Sequence, residues 1–528
     1  CGLGQGSKAA PASWIKLSSV IVNCFKKKGF GAKIRDPITG EESHTVGCLF
    51  VDDTDLYAME EGRLDTEEAV CREAQDAIDW WAWFLAATGG AIKAPKSFCY
   101  FLFYECINGT WSYKEVDHEL TVPMPEGGTI TLAAHKPSHA EKGLGILTAP
   151  SGGHAAQLDS LRQRVDSWTK KNLNGHLPAS HVWMSYIHQL GPGLQYGLGT
   201  LTNDLASAER CLQSAEYTLL PLLGVNRHIR RGWRTLHQTF GGIGLFDLPI
   251  EQLICRINLF QQHYGTPSSL GRKISVSLHW LQLQIGSADC PLSMDYGTWA
   301  HLSPTCWTKC FWETLSKYDV GLDMTYGNLS MQREGDKTIM DFLLPYMTTN
   351  KKMMAVNRCR CYLNAIFLSD MTSLDGSSVN DDMIWGSRTP LRTRMRFPPE
   401  QPTRDDWSTW VTAWTSATSK GLLLCNPLGN WIKPPHFDWP WIYNNNTNEL
   451  FVLRSSGYEI HRPPVGRRHT RSTNMLFPTN EIVQEADGDY VSIDSISTNT
   501  TVVYDSPRRG MEWNDSVTNT SDFWDYIR

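Results

Sequence analysis

Apolar residues at helical spacing are the first pattern along the chain. Leu17, Ile21 and Phe25 recur every three or four positions, and the run ends in three lysines followed by Gly29. A helix with one apolar face produces this spacing, and a glycine after basic residues is a common helix end. The pattern predicts a helix from about Pro11 to Gly29.

A second amphipathic segment follows about 40 residues later along the chain. Asp65 stands three residues before Glu68, which is the spacing of a capping box at a helix start. Ala77 and Trp81 lie on one apolar face, and the pair Gly89-Gly90 is a stop signal. This segment predicts a second helix.

Short apolar stretches around the second helix predict strands. The run 46–51 is short enough for a buried strand, and Asp52-Asp53 would form the tight turn of a hairpin. Residues 95–105 and 110–116, on either side of an Asn-Gly pair, predict another hairpin. The order helix, hairpin, helix, hairpin predicts an α+β fold with antiparallel strands on one side of the helices.

The rest of the chain divides by composition into further segments. The acidic end is rich in Asp, Ser, Thr and Asn and lacks lysine from residue 481 onward, which predicts disorder. The predicted segments are 1–115, α+β; 116–275, mainly helical; 276–395, mixed; 396–475, rich in tryptophan and expected to pack as core; and 476–528, an acidic, disordered tail.

Composition excludes some classes of protein. The 528 residues carry a net charge of −6, so nucleic acid could bind only through local basic patches. The 14 cysteines lack zinc-finger spacing, which favours free thiols in a reducing compartment. No apolar run approaches the ~20 residues of a membrane span. These features predict a cytoplasmic or nuclear protein with no membrane segment.

The carboxylates at the first hairpin point to a metal. Asp52 and Asp53 are adjacent, and Asp55, interpreted as structural, follows on the return strand. Adjacent carboxylates repel each other, and Mg²⁺ or Mn²⁺ would remove that repulsion and suit phosphoryl transfer. The alternatives are a solvated turn, where Asp is common, and a Ca²⁺ loop, although the segment lacks the glycine and distal glutamate of an EF-hand.

Three segments in this order carry a family resemblance. They are LGQGSKAAP (3–11), FVDD (50–53) and TGGAIKAPKS (88–97). Together they resemble the palm of reverse transcriptases, and FGGIGLFDLPIEQL (240–253) resembles a segment beyond the polymerase core of non-LTR, LINE-like retrotransposons. The resemblance implies a retrotransposon RNA-directed DNA polymerase, with a partial palm over 1–115 followed by a thumb-like, mainly helical region and a mixed C-terminal region.

The resemblance also implies roles for individual residues. Asp52 would be the main metal-binding carboxylate and Asp53 its weaker partner. Gln5 and Gly6 would line the pocket for the incoming nucleotide and the templating base. Lys96 would protonate the departing pyrophosphate, with a solvated lysine as the alternative. The implied partners are an RNA template, a DNA primer, deoxynucleoside triphosphates and Mg²⁺ or Mn²⁺.

One motif of the family is not found in the sequence. The first palm motif, which carries another metal-binding aspartate, precedes the Gln-Gly segment in this family, and the fingers precede it too. We therefore expect this chain to be a polymerase fragment that is inactive by itself. The alternative is a decayed retroelement remnant that acts, if at all, as a nucleic-acid-binding protein without catalysis.

A basic cluster in the helical region is the candidate contact for nucleic acid. Arg230, Arg231 and Arg234 are expected to bind phosphates of the template–primer, with a solvated face as the alternative. By the resemblance, residues 98–105 would belong to the hairpin that grips the primer. Residues 276–528 contain no motif that assigns them a role, and the sequence does not predict the oligomeric state.

Overall fold

A computed structural model of the chain describes most of its length. The described residues are 10–50, 53–59, 67–107, 110–124, 127–203, 205–324, 329–373, 376–391, 397, 400–429, 432, 441–444, 449–454, 457–460, 473–484 and 490–504.

Helices make up most of the middle of the chain. In chain order they are α1 (Ala10–Lys28), α2 (Glu67–Ala87), α3 (Ala155–Gly175), α4 (Ala179–Ser185), α5 (Gly191–Gln195), α6 (Leu205–Cys211), α7 (Gln213–Leu222), α8 (Arg231–Thr235), α9 (Leu248–His263), α10 (Ser269–Ile285), α11 (Tyr296–Trp299), α12 (Trp307–Lys317), α13 (Ile339–Leu343), α14 (Asn350–Tyr362), α15 (Asp381–Ile384) and α16 (Arg404–Ala417). The two predicted amphipathic helices are α1 and α2. Residues 155 to about 275 are mainly helical, but the predicted helical segment 116–275 begins with short strands between Thr121 and Thr148, so the prediction is wrong for that part. Within the described residues, every helix is too short or too polar to cross a bilayer.

Along the chain, strands both precede and follow this helical region. They are β1 (Ala32–Arg35), β2 (Glu42–Thr45), β3 (Gly47–Phe50), β4 (Asp53–Leu56), β5 (Phe98–Tyr100), β6 (Tyr104–Ile107), β7 (Thr110–Tyr113), β8 (Thr121–Pro123), β9 (Thr129–Thr131), β10 (Ala133–His135), β11 (Glu141–Gly143), β12 (Ile146–Thr148), β13 (Trp441–Asn444), β14 (Glu449–Arg454), β15 (Gly457–Ile460), β16 (Thr473–Gln484) and β17 (Tyr490–Tyr504). The fold is α+β, with small antiparallel strand pairs beside packed helices.

The chain divides into two compact units. One comprises Cys1–His279 with Thr305–Gly321, and the other comprises Trp280–Pro304 with Leu322–Arg528. Most of the strands that precede the helical region form separate pairs: β1–β2, β3–β4, β6–β7, β8–β9 and β11–β12 are antiparallel two-stranded sheets. The predicted partial palm, 1–115, and the whole predicted helical region, 116–275, fall within the first unit.

The core of the N-terminal part is formed by the apolar faces of α1 and α2. Ile21 and Phe25 are about 1% exposed, and the ring of Phe25 meets the edge of Trp81 at 5.9 Å. Spacings of four residues on each helix bring these side chains to one side, as the pattern predicted. The hairpin β3–β4 packs on this core through Leu49 and Leu56.

One strand pairing differs from the prediction. Tyr104–Ile107 pairs with Thr110–Tyr113 as expected, but Phe98–Tyr100 pairs in parallel with Ala133–His135. The predicted hairpin is therefore wrong for its first half. Parallel partners are distant in sequence, so a local pattern of apolar residues cannot identify them.

A buried arginine connects two helices of the first unit. Arg256 on α9 donates to the carbonyl oxygens of Cys310 (3.1 Å) and Leu201 (2.7 Å) and to Thr314 Oγ1 (2.8 Å). Burial lowers the pKa of Arg256 to about 10. Because a buried guanidinium is costly without acceptors, these bonds fix the positions of α9 and α12 relative to each other.

Two of the tryptophans of α16 lie in the core of the second unit. Trp410 and Trp414 are fully buried, their rings are 5.5 Å apart, and Trp410 Nε1 donates to the carbonyl of Met383 at 3.2 Å. The expectation of core packing is confirmed for these two residues. Thr403 and Asp406 form a capping box that begins the helix.

The C-terminal strands replace part of the predicted disorder. β13, β14, β15, β17 and β16 form a closed barrel in that order, and β16 pairs with β17 over most of its length. The prediction of a disordered tail from residue 476 is wrong for these two strands. Both contain Thr, Val or Ile at several positions, and β-branched residues favour extended backbone even in a polar segment.

Candidate active site

The carboxylate hairpin consists of β3 and β4. Phe50 pairs with Asp53, so only two positions separate the paired ends, the commonest length of a hairpin connection. Asp53 is therefore the first residue of β4, whereas the sequence analysis placed it in the turn. Gly47, at the other end of the hairpin, has no room for a side chain, because a Cβ there would lie 2.0 Å from the carbonyl oxygen of Asp55.

The two faces of this hairpin differ. Leu49 and Leu56 pack on the α1–α2 core, while Cys48, Phe50 and Asp53 are exposed on the opposite face. Phe50 is 58% exposed, so the strand predicted to be buried is buried on one face only. The reason is that β4 is the only described strand that pairs with β3, and such a pair buries one face.

Two carboxylates lie on the open face of β4. Asp53 and Asp55 are two residues apart in a strand, so they point to the same side, and both are exposed. Partial burial and the negative charge of Asp53 raise the pKa of Asp55. A hard divalent cation with oxygen ligands would relieve this repulsion, so the described part of the hairpin fits such an ion. Asp55, interpreted from the sequence as structural, therefore joins the candidate ligands.

The segment of Lys96 lies beside the hairpin. Ile92 packs in the same cluster as Leu49. Burial and the charge of Glu141 raise the pKa of Tyr100, and Asp55 adds a smaller contribution in the same direction. Lys96 lies between these two points of the chain, is exposed, and ends a short 3₁₀ helix. Its ammonium group has no ion pair within the described residues, so it remains available to a ligand.

Three predicted site residues lie outside the described residues. They are Gln5, Gly6 and Asp52. The prediction that Gln5 and Lys96 face the same concavity as Asp52 and Asp53 therefore stays a prediction.

The basic cluster is partly neutralised by carboxylates. Arg231 pairs with Glu209 at 2.8 Å and with Asp247 at 3.1 Å, and Arg234 pairs with Glu216 at 3.3 Å. Phosphate contacts by these two arginines would compete with the ion pairs.

Arg230 differs from its two neighbours in the cluster. It is exposed at the N-terminal end of α8, and its side chain has no hydrogen bond or ion pair within the described residues. Among the three predicted phosphate contacts, Arg230 is thus the one that phosphate could approach without displacing a carboxylate.

The hairpin β6–β7 has exposed apolar side chains. Tyr104 is 58% and Ile107 55% exposed, and the rings of Tyr104 and Tyr113 are 4.9 Å apart. Exposed aromatic rings can stack on bases of a single strand or of a primer end. This hairpin overlaps the segment that the resemblance relates to primer gripping, residues 98–105, only at its first two residues.

One cluster of possible metal ligands was not predicted from the sequence. His135, His139 and Glu141 have donor atoms within 4.8 Å of one another. The signal was present as H-x-x-x-H-x-E at residues 135–141, but such a short pattern has a high false-positive rate without the fold.

Comparison of the chain with protein-family models, with curated proteins and with solved structures gave no match.

Proposed function

We propose that this chain is part of a retrotransposon-type RNA-directed DNA polymerase whose metal-binding carboxylates lie on the hairpin β3–β4. The observation that supports this most is the pair of carboxylates on the open face of β4. Asp53 and Asp55 lie on the same side of the strand, and neither forms an ion pair with a basic side chain within the described residues. A short loop next to an aromatic residue, Phe50, also supports the proposal, as does the exposed Lys96 in a segment whose Ile92 packs in the same cluster as Leu49.

Each described residue has a distinct role in the proposal. Mg²⁺, when bound, would stabilise the charge that develops on the transferred phosphate. Asp53 would hold its carboxylate in a fixed position, because the packing of Leu56 on the core anchors β4. Lys96 would donate a proton to the oxygen of the departing pyrophosphate.

Nucleic acid would contact two other surfaces of the same unit. The exposed ring of Tyr104, 4.9 Å from the half-buried ring of Tyr113, offers a stacking surface, and Arg230 offers a cation for a phosphate. The overall charge of −6 makes such local contacts necessary.

Metal binding at the hairpin can be measured on this chain directly. We expect Mn²⁺, followed by electron paramagnetic resonance, to bind the wild-type chain at least about tenfold more tightly than the Asp53→Asn variant, since the variant lacks one ligand charge. Asp117→Asn, which changes another exposed aspartate, is the matched control and should bind like the wild type. Equal Mn²⁺ affinity in the wild type and Asp53→Asn would remove the support for this site.

A further inference from the structure

A second cluster of ligand atoms lies at the edge formed by β5 and β10. His135 is the last residue of β10, Glu141 is the first residue of β11, and His139 lies in the turn between them. The Nε2 atoms of both histidines lie 3.1 Å from the same carboxylate oxygen, Oε1 of Glu141. The two imidazole rings are 4.4 Å apart, centroid to centroid.

We propose that His135, His139 and Glu141 bind a borderline divalent cation of the Zn²⁺ type. Two imidazole nitrogens and one carboxylate oxygen are a ligand set that such ions take, whereas Mg²⁺ prefers oxygen ligands alone. This site is separate from the carboxylates of β4 and does not depend on the proposed polymerase function.

The distances agree with this ligand set. Ligands at about 2.0–2.2 Å from a tetrahedral zinc ion lie about 3.3–3.6 Å from one another. The two nitrogen–oxygen distances of 3.1 Å are close to that range. The donor atoms of all three residues lie within 4.8 Å of one another, which places them on one side of a common space for an ion.

The backbone holds these ligands in place. His139 N donates to the carbonyl of Lys136 at 2.8 Å and closes the turn, and the Tyr100 hydroxyl donates to the carbonyl of His139 at 3.2 Å. Ser151 N donates to the carbonyl of Pro137 at 3.0 Å. A turn fixed at three points loses little conformational freedom when an ion binds.

The cluster is open on one side. The side chain of His139 is 51% exposed, and that of Glu141 is 35% exposed. Three protein ligands with an accessible side leave the fourth position to water or to a ligand from solution, which distinguishes this arrangement from a closed structural zinc site. The site thus suits an ion that exchanges with solution and can take an external ligand.

Titration calorimetry with ZnCl₂ tests the inference. We expect one equivalent of Zn²⁺ to bind the wild-type chain, and His139→Ala and Glu141→Gln each to weaken binding by at least about 100-fold, because loss of a ligand exceeds the 10–100-fold effect of losing its hydrogen-bond partners. MgCl₂ should give no comparable signal. His181→Ala, an exposed histidine on α4, is the matched control and should bind Zn²⁺ like the wild type.

The two variants also separate this site from other zinc ligands. Glu141→Gln preserves the size of the side chain, and circular dichroism will show whether each variant is folded. If Zn²⁺ affinity is unchanged in both variants, the ion binds to cysteines elsewhere. If Zn²⁺ affinity is lost in Asp53→Asn instead, the ion binds at β4. Either result, or the absence of saturable binding by the wild type, would overturn the inference.

Discussion

At the residue scale, Asp36 shows how one carboxylate connects two elements. Its Oδ2 accepts a hydrogen bond from Nδ1 of His279 on α10 at 2.7 Å, and its Oδ1 accepts from the backbone N–H groups of Ile38 and Thr39. Asp36 is only 6% exposed. Burial raises the pKa of Asp36, but the bonds from His279 and the backbone lower it more, so the net pKa lies below its usual value.

The lowered pKa of Asp36 predicts a pH-dependent stability. The carboxylate binds protons less readily in the folded than in the unfolded chain, so its contribution is complete well above pH 4 and is lost as the pH falls through the folded pKa. Asp36→Asn should lower the free energy of unfolding by about 2 kcal/mol at pH 7, and the difference should shrink below pH 4. Urea unfolding at several pH values, with Asp117→Asn as the control, measures this; a difference that stays constant down to pH 2 would contradict it.

A second prediction at this scale concerns the basic cluster. Arg230→Ala should lower the salt slope of template–primer binding by about one unit, since one phosphate contact is lost. Arg231→Ala should change the slope less, because Glu209 and Asp247 already neutralise Arg231. Fluorescence anisotropy over a salt series compares the two variants. Equal slopes for the wild type and Arg230→Ala would show that this arginine is only a solvated side chain.

At the element scale, hairpin β3–β4 combines an apolar and a polar face. The same four-residue strands place Leu49 and Leu56 on the core and Asp53 and Asp55 towards solvent. Successive side chains of a strand point to opposite faces, so a shift of the pairing by one residue would exchange the apolar and the polar face. The register of the hairpin therefore determines whether the carboxylates are available to an ion.

Helix α16 gives a prediction about stability. Trp410→Ala should lower the free energy of unfolding by about 3–5 kcal/mol, because the large fully buried side chain leaves a cavity and Met383 loses its hydrogen-bond donor. Ser408→Ala, on the exposed face of the same helix, should change it by about 0.5 kcal/mol or less. Urea unfolding followed by circular dichroism measures both. A small effect of Trp410→Ala would contradict the assignment of this tryptophan to the core.

At the scale of the whole molecule, local patterns predicted more than long-range pairings. The bounds of α1 and the end of α2 follow from apolar spacing and glycines, which are properties of neighbouring residues. The parallel pairing of Phe98–Tyr100 with Ala133–His135 depends on two distant segments and was not predictable from either alone. The His135–His139–Glu141 cluster depends on the same pairing and on a turn. The sequence motif alone therefore could not predict that the three side chains meet.

The candidate active site could be predicted only in part. A pair of adjacent aspartates after an apolar run indicated a metal-binding hairpin, and the structure contains a hairpin at that place. The predicted and observed turns differ by one residue, since Asp53 belongs to the strand and not to the turn. This difference and the place of Asp55 among the candidate ligands both depend on strand register, which the sequence alone does not determine. The packing of Ile92 beside the hairpin, which brings the segment of Lys96 close, is a tertiary contact.

Primer extension on an RNA template with Mg²⁺ tests the central claim most directly. The chain is joined at its amino terminus to the fingers and first palm motif of the reverse transcriptase family, and incorporation of deoxynucleotides is compared between the wild type, Asp53→Asn and the control Asp117→Asn. We predict incorporation by the wild type and the control, and a rate lower by at least about 10²-fold in Asp53→Asn, since positioned charge is lost at the reacting phosphate. Equal rates in the wild type and Asp53→Asn, or no incorporation by the wild type, would contradict the account.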